Sequence, residues 1–280
     1  MEPSYNAASV GKMSQLNIGV AYALSLAGFE NNPKTMYASV DMPFYFLKMY
    51  HGAGLQLLND QIGLFRHQRL QGQYAAKFNL FGGVMSVGVQ AGLLSESFDG
   101  SKADLGDSND PAFTTTNANG NSFDMGAGIY YLRGPLYAGL SVQHANAPTV
   151  SLGETNEIKV DRTYYFTAGY NIKLRNPFLT IKPSVLARTD LTGYRADITS
   201  RLVYSLDKKM MYLGLSYSPT NSVTLLVGGK VHGVMLGYSY EYYTGGISFI
   251  NGSHELYVGY QMDINLVKKG KNKHQSVRIL

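Results

Sequence analysis

The stretch GVMLGYSYEYYTGGISFINGSHELYVGYQM, residues 233–262, alternates its side chains with a period of two residues. Successive strand side chains point to opposite faces. Val234, Leu236, Tyr238, Tyr240 and Tyr242 therefore share one face, and Met235, Gly237, Ser239, Glu241 and Tyr243 share the other. The first face is apolar; the second is small or polar. Leu256, Val258, Tyr260, Met262 and Ile264 repeat the apolar face opposite Glu255, Tyr257, Gly259, Gln261 and Asp263, so the two halves read as a hairpin.

The same alternation recurs along the chain in segments of about ten residues separated by turn chemistry, which is the signature of a transmembrane β-barrel. Strands are expected near 13–22, 34–42, 51–60, 66–79, 83–96, 122–133, 136–146, 162–172, 178–189, 194–206, 210–218, 222–231, 234–244 and 254–265. That makes about fourteen, an even number, as bacterial barrels prefer. Met85, Val87, Val89, Ala91 and Leu93 oppose Ser86, Gly88, Gln90 and Gly92. Leu70, Tyr74, Ala76, Phe78 and Leu80 oppose Arg69, Gln71, Gln73, Lys77 and Asn79, and Tyr194, Ala196, Ile198, Leu202 and Tyr204 oppose Arg195, Asp197, Thr199 and Arg201. A soluble sandwich also alternates, but its polar face would be rich in Lys, Glu and Thr. Here that face is rich in Gly, Ser, Gln and isolated charges, and Tyr gathers toward strand ends, as in lumen-facing walls with interfacial girdles.

The expected architecture is a single all-β, antiparallel, up-and-down barrel over residues 1–267, with both termini periplasmic and a periplasmic tail over 268–280. Turn lengths agree with that orientation. The connections 97–121 and 147–161 are long, whereas 133–135, 207–209 and 232–233 are short. The exception is 42–51, MPFYFLKMYH, which reads as a long, aromatic periplasmic turn. Charges separate with the same parity. Asp99, Asp104, Asp107, Asp110, Glu154 and Glu157 fall on the external loops, and Arg133, Lys173, Arg175, Lys208 and Lys209 fall at the periplasmic end.

Composition removes other classes. The 280 residues include no Cys, which excludes disulfides and thiolate metal sites and suits passage through an oxidising periplasm. No apolar run approaches the roughly 18 residues of a spanning helix. The net charge of +5 is scattered apart from Lys268, Lys269, Lys271 and Lys273, so no nucleic-acid partner is expected. Neither a basic region nor an apolar stretch follows Met1-Glu2-Pro3, so an exported protein would be a trimmed or mature form here.

Several segments resemble the PorP/SprF family of outer-membrane proteins associated with the type IX secretion system of Bacteroidota. They are YNAASVG (5–11), NDQIG (59–63), KPSVLAR (182–188), LGYSYE (236–241), GSHEL (252–256) and the terminal SVRIL, in order over nearly the whole chain. Departures are Ala7 in place of the family's proline and the lack of a first-strand tryptophan. The resemblance implies an outer-membrane accessory that is not an enzyme, seated in outer-membrane lipid. Its implied partners are a periplasmic ring lipoprotein or peptidoglycan-binding protein, or a surface adhesin or cargo with a C-terminal secretion domain, in protein secretion or gliding motility. The alternative is a general porin or small-solute channel.

No cofactor, catalytic set or metal site is expected. His254 and Glu255 are adjacent in a strand and point apart, so they do not converge on one substrate. His51, His67, His144, His232 and His274 show no ligand spacing. Nothing signals the Ser–His arrangement of a barrel hydrolase, and the acidic loop 98–113 lacks the spacing of a calcium loop. The inward strand faces carry Arg69, Lys77, Lys182, Arg188, Arg195 and Arg201 beside Asp197, Glu241, Glu255 and Asp263, which would either bias a pore or pair into a plug. The tail is the candidate partner-binding element. Lys268, Lys269 and Lys271 would attract an acidic surface, and Val277, Arg278, Ile279 and Leu280 form a tip that a partner or the barrel mouth would bury.

Overall fold

The computed structural model describes residues 2–100, 118–153, 156–207, 209–245 and 252–264. Two 3₁₀ turns, Glu2–Ser4 and Ala7–Ser9, precede the strands β1 (Gln15–Leu24), β2 (Lys34–Phe46), β3 (Met49–Ile62), β4 (Phe65–Leu80), β5 (Gly83–Phe98) and β6 (Ala118–Arg133). There follow β7 (Leu136–Gln143), β8 (Thr149–Leu152), β9 (Asn156–Lys159), β10 (Thr163–Tyr170), β11 (Ile172–Lys173) and β12 (Leu179–Thr189). The last five are β13 (Tyr194–Leu206), β14 (Lys209–Ser218), β15 (Ser222–Val231), β16 (Val234–Tyr243) and β17 (Ser253–Asp263).

Each long strand pairs antiparallel with its sequence neighbours. β1 also pairs with β17, and β10 pairs with β12, so the sheet closes into a barrel of 14 strands. Closure leaves no sheet edge, the condition for a sheet to span lipid. β11 extends the β12 pairing, and β8–β9 is a separate hairpin. Strands of 10 or 11 residues, such as β1, β12 and β14 to β17, match the length needed to cross a bilayer at a tilt.

The apolar stripe of the barrel strands faces outward. Leu55, Leu70, Val89, Leu93, Leu140, Ile198, Leu213, Leu225 and Leu236 all lie on the exposed surface, whereas Arg69, Gln71, Gln73, Ser86 and Gln90 are buried. A fold with its apolar residues outside and its glutamines inside is built for a lipid solvent.

β1 begins and β17 ends at one end of the barrel, the termini end, where Gln15 pairs with Asp263 and several connections between strands are tight. There β2 and β3 are joined by Leu47-Lys48, β4 and β5 by Phe81-Gly82, and β15 and β16 by His232-Gly233. The connections that follow β1, β5, β7 and β16 leave from the opposite end, the loop end. The aromatic run 42–51 is not a long turn. β2 continues to Phe46 and β3 begins at Met49, with Leu47 at φ 47° and Lys48 at φ 63°. Two successive positive φ values are the geometry of a tight primed hairpin turn, here made without Gly or Asn.

Candidate functional site in the barrel lumen

The residues before β1 run inside the barrel. Asn6, Ala7, Ala8, Ser9 and Val10 are almost fully buried. Asn6 caps the second 3₁₀ turn by accepting from the Ala8 amide at 2.9 Å, while its amide donates to the carbonyl oxygens of Ile129 at 3.1 Å and Leu140 at 3.4 Å. One short side chain thus fixes the segment's conformation and ties it to β6 and β7. Gln73 donates to the Pro3 carbonyl at 2.8 Å, and Gln143 donates to the Ser4 carbonyl at 2.7 Å. Asp41 accepts the Gly11 amide at 2.8 Å, and Lys77 donates to the Gly11 carbonyl.

The wall is shaped to receive this backbone. A Cβ on Gly52 would stand 2.1 Å from the Val10 carbonyl oxygen, and one on Gly128 would stand 2.3 Å from Asn6 Oδ1. No side chain fits at either glycine, where the segment comes this close to the wall backbone.

Toward the loop end the same half of the lumen is filled by a polar network. Gln56 accepts from Tyr37 at 3.2 Å and donates to Gln71 at 2.7 Å; Gln71 donates to Asp124 at 2.8 Å, which also bonds His144 at 3.1 Å. Arg69 reaches Gln143 at 3.0 Å, and His67 pairs with Glu96. These partners offset the hydration the buried groups lose, though Arg69 Nε itself has none. The β8–β9 hairpin folds against β5 and β6 and buries Val150 and Leu152.

The other half of the wall, β12 to β17, faces a cavity of about 460 Å³. It runs from Met13, Met210 and Gln261 near the termini end to Ser239 and Glu255 at mid-wall. Inward tyrosines reach over glycines one or two strands away. The Tyr212 hydroxyl would stand 2.5 Å from a Cβ on Gly228 and 2.6 Å from one on Gly237, and that of Tyr257 would stand 2.8 Å from one on Gly19. The glycine- and tyrosine-rich composition is thus a packing device in which an aromatic ring covers the gap a glycine leaves.

Of the inward charges expected from sequence, Arg195 pairs with Glu241 at 2.7 Å and Asp197 at 3.0 Å. Lys182, Arg201 and Glu255 line the cavity, Asp263 accepts from Gln15 at 2.7 Å, and Arg188 is exposed. His254 bonds Tyr238 at 2.7 Å beside the outward face while Glu255 faces the cavity, so the adjacent pair does point apart. The structure brings together two histidines that lie far apart in the chain. The rings of His67 and His144 are 6.5 Å apart, each holding its own carboxylate. The β4–β5 turn at 81–82 pairs residues whose numbers sum to 163, and so places His67 opposite Glu96. Lys268, Lys269, Lys271, Val277, Arg278, Ile279 and Leu280 lie outside the described residues, as do Asp104, Asp107, Asp110, Glu154 and Lys208 of the expected charge separation.

Among solved structures the chain is similar to the CymD monoaromatic hydrocarbon channel, with TM-score 0.56 and 12% identity over 94% of this chain and 92% of that one. A FadL homologue of Pseudomonas aeruginosa gives TM-score 0.54 and 8% identity over 93% of each chain. The toluene transporter TodX of Pseudomonas putida gives TM-score 0.52 and 10% identity over 93% of this chain and 98% of that one. At these identities the likeness is one of fold, and it is to barrels of the outer membrane. No curated protein matches the chain. The family model for the type IX secretion system membrane protein PorP/SprF matches residues 2–260, a span that takes in the luminal segment and the barrel strands as far as Tyr260 in β17, and the chain belongs to that family.

Proposed function

We propose that this chain is a non-enzymatic accessory barrel of the type IX secretion system whose work is to bind partners rather than to conduct solutes. The observation that carries the reading is the luminal segment 2–12, which occupies one half of the barrel and is hydrogen-bonded to β4, β6 and β7. A barrel built for free diffusion keeps a water-filled channel; here glycines of the wall are spent on seating a plug. The tight turns at the termini end, against the long connections after β1, β5, β7 and β16, support a periplasmic assignment for that end by the usual asymmetry of outer-membrane barrels. That end would face a ring lipoprotein or a peptidoglycan-binding protein, and the loop end would face a surface adhesin or cargo carrying a C-terminal secretion domain. The tail 268–280 is the proposed periplasmic docking element.

Mild detergent extraction followed by identification of co-purifying proteins tests the reading. Retention of a periplasmic ring component or a surface cargo supports it. Deleting Gln275 to Leu280 separates docking, in which the partner is lost from an intact barrel, from a merely structural tail.

A second reading, a small-solute channel, is favoured by the cavity along β12 to β17, and the structural neighbours include a monoaromatic hydrocarbon channel and a toluene transporter by name. Large, steady openings of purified wild-type protein in planar bilayers would install that reading in place of the accessory role.

A further inference from the structure

We infer that the cavity holds an oxyanion-binding site, specific for a phosphate or carboxylate group, built on Lys182 and Arg201. The two residues are register partners on β12 and β13, directly opposite each other and both on the cavity wall. Like charges placed opposite on one face of a sheet repel. Elsewhere in the lumen such a conflict is resolved: Arg188 and Arg195 are also register partners, but Arg195 holds Glu241 and Asp197, and Arg188 is exposed.

Among the described residues neither Lys182 nor Arg201 has an ion-pair partner. Lys12 lines the same cavity as these two cations. Lys230 donates to Gln261 at 3.2 Å, a neutral partner. Three carboxylates border the cavity. Glu2 is bound by Lys12, Asp41 accepts from the Gly11 amide and from Asn17 at 3.2 Å, and Glu255 acts beside Tyr212. With Lys12 taken up by Glu2, Lys182 and Arg201 share the cavity wall with Asp41 and Glu255, neither of which forms an ion pair with them.

A second observation is independent of charge. Arg201 Nε is buried and has no hydrogen-bond partner. Its chain is laid across β14 over Gly214, where a Cβ would stand 2.6 Å from Arg201 Cγ. A glycine thus makes room for a guanidinium held at the wall with a donor unused. A buried donor without a partner is costly, and a guanidinium fork fits the two oxygens of a phosphate or carboxylate. The Tyr212 and Tyr257 hydroxyls on the same wall supply neutral donors.

The test uses the wild-type barrel refolded into non-ionic detergent, so that no lipopolysaccharide phosphate accompanies it. Thermal unfolding is followed by loss of heat-modifiable migration in inorganic phosphate, in succinate and in chloride at equal ionic strength. Stabilisation by phosphate or succinate beyond chloride is expected, and which of the two acts identifies the group. No excess over chloride overturns the site. Lys182→Met and Arg201→Met should each weaken the apparent affinity roughly ten- to hundredfold, the loss of one charged hydrogen-bonding partner. Each should also leave the anion-free barrel at least as heat-resistant, because a repulsion is removed. A double variant that folds and keeps the full oxyanion response overturns the placement.

Discussion

A Cβ on Gly88 would stand 2.3 Å from the backbone nitrogen of Ala8, closer than any side chain tolerates. Gly88 therefore exists to let the luminal segment lie against β5. Gly88→Leu should displace the segment while leaving the outward face of β5 untouched. The expected result is a barrel that still shifts on heating but passes far more current in planar bilayers. The native chain has no cysteine, so Ala8→Cys gives one thiol. It should resist a water-soluble maleimide in the parent and react in the Gly88→Leu background. An unreactive thiol in both would show that the segment stays seated.

Asn6 bridges the segment to β6 and β7 through Ile129 and Leu140. Asn6→Leu removes those bonds and buries apolar bulk against two carbonyls, at a cost of about 1–3 kcal/mol for the orphaned groups. The midpoint of urea unfolding should fall accordingly. An unchanged midpoint would mean the segment contributes nothing to barrel stability.

Tyr137 lies over Gly169, where a Cβ would stand 2.4 Å from its hydroxyl, and its ring stacks on Tyr130 at 5.9 Å. Gly169→Ala should destabilise the parent and be nearly neutral in a Tyr137→Ala background. This double-mutant cycle gives zero coupling if the ring does not depend on the glycine.

Between β12 and β13, Asp190 accepts the Gly193 amide at 2.7 Å, and the Thr192 hydroxyl at 2.7 Å and amide at 2.9 Å. These donors, the Gly193 amide foremost, pull its carboxyl down to about 2. A carboxyl depressed on folding supports the loop above its ordinary value of about 3.9 and loses that support as pH falls toward about 2. The NMR titration of Asp190 should have its midpoint near 2, and Thr192→Ala should raise it. A midpoint in the ordinary range in the parent would show that the turn does not form.

The strands were legible because lipid outside and polar side chains inside force a period of two, and the β13 and β15 boundaries expected from that period match the structure to the residue. The turn at Leu47-Lys48 was not, because its residues carry no preference for the positive φ they adopt. The luminal segment was not either. YNAASVG has no period, and its seat is written in glycines scattered over β3, β5, β6 and β7 that mean nothing until the ring is closed. The facing of Lys182 and Arg201 was available in principle, since the 190–193 turn pairs residues whose numbers sum to 383.

The ring closes where β1 meets β17, and β1 directly follows the luminal segment. A segment bonded to the middle of the chain and enclosed by a wall that its own continuation completes has two routes inward. It threads end-on through a finished cylinder, or it is already docked on β4 to β7 when the first and last strands zip together. By the second route residues 2–12 serve as a mandrel. They gather the early strands around a fixed curvature, so that the circumference is set before the seam is sewn.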